Sequence, residues 1–170
     1  FWIALSLLRP PLPRHSPRTR ELGRAGIAVA MLIFAMALTG GLVAGLRAGS
    51  AYNTFPLMNG YIVPPEILVL VPWYENFAYN MATVQFDHRL LAWVLALVIP
   101  LFWWRMRGHP ALPARARLGA NLLLGALALQ FSLGVATLLM HVPVILGVLH
   151  QAGAVLLFAA SLNVAHALRR

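Results

Sequence analysis

Four long apolar runs, roughly 25–46, 78–104, 118–140 and 144–168, constrain this chain more than any other feature. Each reaches the length of about 20 residues that an α-helix needs to cross the hydrocarbon core of a bilayer. Composition agrees: 61% of the 170 residues are hydrophobic and 10% are charged, against roughly 25% charged in a soluble globular domain. The expectation is an all-α integral membrane protein, a four-helix transmembrane bundle over 25–170. A basic loop at 9–24 precedes it. The short apolar run 1–8 cannot span, lacks the basic flank of a signal peptide, and reads as the tail of an earlier transmembrane helix.

The net charge of +9 comes from arginine alone, since the chain has no lysine. Its placement argues against a nucleic-acid partner. Arg9, Arg14, Arg18, Arg20 and Arg24 precede the first span, Arg105, Arg107, Arg115 and Arg117 join the second to the third, and Arg169 and Arg170 end the chain. An even number of spans puts all three clusters on one side, which the positive-inside rule makes the cytoplasmic (or matrix) side of a bacterial or mitochondrial inner membrane. The long connection 47–77 then lies outside. Its Pro56, Pro64, Pro65, Pro72, Trp73 and Tyr74 describe a stiff aromatic loop at the headgroup level, and Trp103 and Trp104 mark the opposite interface.

Cysteine is absent, which excludes disulfides, iron–sulfur clusters and thiolate metal sites. Histidine remains as the metal-ligating residue. Of the six, His88 and His150 fall inside spans near the outer edge, and an ionisable ring in hydrocarbon is costly enough to be a functional hypothesis. Counted from the start of each apolar run at about 1.5 Å per residue, His88 lies about 15 Å deep and His150 about 9 Å deep. Parallel helices carrying imidazoles at one level can hold a planar metal macrocycle between them. Interhelical hydrogen bonding is the plainer role for a single such histidine. His15 and His109 fall in cytoplasmic loops, His166 near the end of the last span, and His141 in the outer turn.

The neighbours of His150 on its helix face, Gly147, Gly153 and Ala154, are small and leave a recess. Backbone carbonyls, with Gln85 and Gln151 as weaker candidates, are expected to accept from the second ring nitrogen of each histidine. Arg89 has two readings, a partner for a macrocycle's propionate or for Asp87. Gly41, Gly45 and Gly49 have a small-xxx-small spacing that suits helix packing, and Met31 and Met36 read as packing residues.

Three segments carry a family resemblance: VQFDHRLLAW (84–93), TGGLVAGLRAGSAYNTFPLM (39–58) and GVATLLMHVPVILGVLHQ (134–151). They resemble the C-terminal half of the haem A synthase family, COX15/CtaA, over nearly all of 24–170. The resemblance implies an eight-helix protein of two similar halves, each supplying a histidine pair, the N-terminal pair associated with the substrate haem O and the C-terminal pair with haem b. It puts the haem b ligands at His88 and His150 and gives His141 no role. It further implies oxidation of a haem O methyl group to the formyl group of haem A for cytochrome oxidase. Haem O synthase or cytochrome oxidase assembly factors are possible partners, and the electron donor is unidentified. An iron with two axial imidazoles suits electron transfer rather than oxygen activation, so this half is expected to relay electrons and not to catalyse alone.

Two other classes fit parts of the pattern. A stand-alone b-type cytochrome subunit would use the same histidine pair. A transporter would use Asp87, His88 and Arg89 as a polar relay, but it should show helices broken near the midplane, and the second and fourth spans show no such break.

Overall fold

The structure, a computed structural model, describes residues 1–8, 17–110 and 112–168. The expected positions of Arg9, Arg14, His15, Arg169 and Arg170 lie outside these. Six α-helices follow one another: α1 (Trp2–Leu8), α2 (Pro17–Gly45), α3 (Asn76–Tyr79), α4 (Met81–Arg107), α5 (Ala114–Leu139) and α6 (Val144–Ala167). The fold is all-helical, and α2, α4, α5 and α6 are long and apolar enough to cross a membrane.

Helix ends follow local chemistry more closely than apolar content. The first long helix starts at Pro17, eight residues before its apolar run, because proline suits the first helical position and the following Arg and Glu are good helix formers. Helix α4 starts at Met81, where the Asn80 side chain accepts from the backbone N–H of Ala82 (2.9 Å) and Thr83 (3.2 Å). Pro113 and Pro143 precede α5 and α6. Between α5 and α6 the chain reverses through His141 and Val142, both with positive φ, and Val142 N–H donates to the Thr137 carbonyl (2.8 Å).

The four long helices form a ring in which α2 packs on α4 and α6, and α5 packs on α6 and α4. Helices α4 and α6 therefore stand diagonally across the bundle. The hydrophobic core fills only its arginine-rich half, with Val29 and Ile33 from α2, Leu95 and Ile99 from α4, Leu123 and Leu127 from α5, and Leu157 and Val164 from α6. Beyond this level the packing changes. No residue is fully buried on α2 after Ile33, on α4 between Gln85 and Leu95, on α5 between Leu127 and Thr137, or on α6 before Leu157. A bundle meant to pack only on itself would fill such a belt.

The connection 46–80 closes the far end of the bundle. Fully buried Asn76 organises it, its side-chain amide donating to the carbonyls of Leu70 (3.0 Å) and Trp73 (2.8 Å) and its oxygen accepting from Leu70 N–H (3.0 Å). The Thr83 hydroxyl accepts from Leu68 N–H (3.1 Å), which ties the loop to α4. At the arginine-rich end, α1 lies on α6, with the Trp2 ring edge-on to His166 at 5.1 Å.

Candidate functional site

Both membrane histidines lie in the belt that holds no buried residue of the four long helices. With α4 beginning at Met81 and α6 at Val144, His88 is about 10.5 Å and His150 about 9 Å from its helix start. The later start of α4 thus brings the two depths closer than the apolar runs suggest. The helices run in the same direction on opposite corners of the ring.

Each ring rests against a glycine of the adjacent antiparallel helix. A Cβ at Gly40 of α2 would lie 3.1 Å from His88 Cε1, and one at Gly134 of α5 would lie 2.9 Å from His150 Cε1. A glycine at each position lets the helix lie close against the ring. The spacing Gly41, Gly45, Gly49 points to a different face: a Cβ at Gly41 or Gly45 meets nothing within 4 Å, and Gly49 faces a Val142 methyl. Residues 40 and 41 differ by one step of 100° around the helix, and the side facing His88 belongs to residue 40.

Thr39 sets the orientation of His88. Its hydroxyl donates its one hydrogen to the Met36 carbonyl (2.9 Å), so its contact with His88 Nδ1 (3.0 Å) requires the ring N–H to donate to Oγ1. That leaves the Nε2 lone pair free. His150 is held differently: the Gln130 amide of α5 donates to the His150 backbone carbonyl (2.8 Å), and the Gln130 oxygen packs on Gly153. His150 Nδ1 is buried without a hydrogen bond. Thr39, Gly40, Gln130 and Gly134 are the site residues that sequence reasoning did not single out. A threonine and a glutamine in otherwise apolar spans were the available signal.

The remaining candidates sit as follows. Arg89 spends its guanidinium on the loop above, donating to the carbonyls of Tyr52 (2.8 Å), Thr54 (2.9 Å) and Leu57 (3.3 Å). Gln85 donates to the same Tyr52 carbonyl (3.1 Å), and its own oxygen is buried without a partner. Gln151 is exposed, Ala154 is half-buried, and Gly147 faces open space. Phe55 of the loop stacks on Trp93 of α4 (5.6 Å, 16°), and Phe131 of α5 meets both edge-on. This aromatic trio bridges α4 and α5 at the level of the belt.

Outside the membrane, Tyr52 donates to the Glu66 carboxylate (2.8 Å). Burial, with the hydrogen bond and negative charge of Glu66 adding to it, pushes the phenol up to about 12. His141 is exposed in its turn.

Among the described residues no three His, Cys, Asp or Glu side chains converge. The donor set is two imidazoles, which is too few for a bare ion but suits a metal whose other positions are filled by a flat ligand.

The sequence profile of the COX15-CtaA family, described as cytochrome oxidase assembly protein, matches residues 1–162. A heme A synthase of Nitrosospira multiformis is 54% identical over 172 aligned residues, covering all of this chain and 48% of that protein. The heme A synthase COX15 of Arabidopsis thaliana is 41% identical and that of Homo sapiens 39%, each covering the whole chain and 38% and 42% of the relative. The chain thus spans about half the length of the curated relatives it matches or less. No solved structure matches it.

Proposed function

The chain belongs to the COX15-CtaA family of cytochrome oxidase assembly proteins, and from that premise we propose that it is the haem b-binding C-terminal half of a haem A synthase. His88 and His150 would hold that haem. The observation that carries this reading is the placement of one imidazole on each of two diagonal helices, each backed by a glycine, in a belt where none of the four long helices has a buried residue.

The residues present suit such a group. Thr39 holds His88 in the tautomer that presents Nε2, the usual arrangement for a metal-bound imidazole whose other nitrogen donates to a neighbour. Gln130 fixes the turn of α6 that bears His150. Gln85 Oε1 and Arg89 Nε on α4, Gln130 Oε1 on α5 and His150 Nδ1 on α6 are buried without hydrogen-bond partners. Polar atoms are normally buried without partners only where a ligand or water completes them.

Haem b, when bound, would supply reversible one-electron transfer. The chain's residues keep that site dry and rigid: Arg89 and Gln85 tie the 52–57 segment over it, and Phe55, Trp93 and Phe131 close the gap between α4 and α5. Oxidation of the haem O methyl group to the formyl group of haem A, the activity of the whole protein, then belongs to sequence outside this chain. The arginine-rich end faces the cytoplasm or matrix, and the 46–80 connection faces outward.

The test is the haem b content and low-spin optical spectrum of the protein purified with its native flanking sequence. His88→Ala and His150→Ala should each remove this haem b signal, and His141→Ala should leave it intact. Loss with His141→Ala and retention with His150→Ala would move the ligand and overturn the assignment.

A further inference from the structure

At the arginine-rich end, away from the histidine pair, α4 and α5 enclose a cavity of about 520 Å³ lined by Trp103, Met106, Arg107, Arg117, Ala120 and Asn121. We propose that it binds the headgroup of an anionic phospholipid. The floor is apolar, since Met106 and Ala120 are buried. The wall is held by one cross-helix bond, the Trp103 indole N–H donating to Asn121 Oδ1 at 2.7 Å. Arg107 follows Trp103 by four residues and Arg117 precedes Asn121 by four. Because the helices are antiparallel, that spacing places both arginines on the same side of the Trp103–Asn121 bond.

Charge complementarity identifies the occupant. Arg107 lies over the Trp103 ring, its guanidinium carbon 4.9 Å from the ring centre, which positions the cation while leaving its N–H groups available. No carboxylate pairs with either arginine among the described residues. The sequence offers little chance of one: Glu21 is the single acid in the arginine-rich segments, against eleven arginines there. Two guanidiniums form a fork for a phosphate diester. An apolar floor and an indole at the membrane interface suit the glycerol and upper acyl chain of the same molecule. Basic pockets between transmembrane helices on the cytoplasmic or matrix side recognise acidic lipid headgroups in this way.

The experiment is native mass spectrometry of the protein with its native flanking sequence, released from non-ionic detergent mixed with phosphatidylglycerol, phosphatidylcholine or inorganic phosphate. Wild type should retain one phosphatidylglycerol in clear preference to phosphatidylcholine. R107Q/R117Q should lower that retention about tenfold or more, each basic side chain near an anionic surface being worth about fivefold. R24Q/R105Q removes the same charge from exposed positions outside the cavity, where solvent and salt screen it from the bound lipid, and should stay within about twofold of wild type. Circular dichroism of each variant should keep the helical content, and the two double variants need only be compared with each other. Equal loss in both would reduce the effect to bulk charge and overturn the site. Displacement of phosphatidylglycerol by millimolar inorganic phosphate would assign the cavity to a free anion and overturn the lipid.

Discussion

The substitution Gly134→Ala separates the fold of this bundle from its proposed cofactor site. The new methyl would lie 2.9 Å from His150 Cε1 and 3.5 Å from both ring nitrogens. Restoring ordinary contact requires the ring to retreat by about half an ångström, and the direction open to it is into the unfilled belt. In the haem-free protein that movement meets little resistance, so its cost stays near the low end of overpacking, about 1 kcal/mol. Replacing glycine inside a helix returns a similar amount, about 1 kcal/mol, and the haem-free melting temperature should hardly change. Iron coordination removes the ring's freedom. The overpacking cost of about 1–3 kcal/mol should then appear in haem affinity, as a loss of about 5- to 150-fold. Gly40→Ala, with its contact at 3.1 Å, should fall at the mild end, and Gly41→Ala, whose added methyl meets nothing, should leave affinity unchanged. Haem titration followed at the Soret band, paired with thermal unfolding of the haem-free protein, reads both quantities. The reasoning fails if Gly134→Ala binds haem as wild type does, or if Gly41→Ala weakens binding as much as Gly40→Ala.

Three further outcomes follow from the contacts around this site. Thr39→Val removes the acceptor that orients His88 and should weaken haem binding about 10- to 100-fold, with Thr39→Ser restoring it; unchanged affinity in Thr39→Val would show that the hydroxyl is not the orienting group. Arg89→Gln gives up charge-assisted bonds to three loop carbonyls, each worth about 1.5–3 kcal/mol, and should expose amides of the 52–57 segment to faster hydrogen exchange while α5 is unaffected. Tyr52 should titrate near pH 12 in tyrosinate absorbance, and Tyr52→Phe should delete that step. The sign is fixed: folding raises this pKa, so the unfolded chain deprotonates first. The stability contributed by Tyr52 is present below about pH 10 and lost as pH rises toward 12.

Length and apolar content made the four spans legible, because the bilayer sets helix length directly. Their ends were not, since Pro17 and Asn80 act through hydrogen-bond accounting that hydropathy does not register. His88 and His150 stood out because a titratable ring in hydrocarbon needs a reason. Their supports did not, for two physical causes. A helix face changes by 100° per residue, so the visible glycine series 41, 45, 49 marked a face adjacent to the one that meets His88. The second cause is that Arg89 and Gln85 donate to carbonyls more than 25 residues away in the chain, and backbone acceptors leave no trace in side-chain identity.

The α2–α4 and α5–α6 pairs repeat one geometry despite slight sequence likeness and very different connections. Thirty-five residues separate α2 from α4, and four separate α5 from α6. Yet Gly40 lies five residues before the end of α2 and Gly134 five before the end of α5, facing histidines seven and six residues into the next helices. For antiparallel neighbours, equal distances from adjoining ends mean equal depth, about 7.5 Å for each glycine and 9–10.5 Å for each histidine. Depth is therefore fixed by the helix ends, through the Asn80 cap in one pair and the Pro143 start in the other, and the connections are free to differ. Moving the start of α4 by one residue would rotate His88 by about 100° and shift it about 1.5 Å, taking the ring off Gly40 and away from Thr39. The buried Asn76 and Asn80 network that sets that start is thus as much a determinant of the site as the ligands themselves.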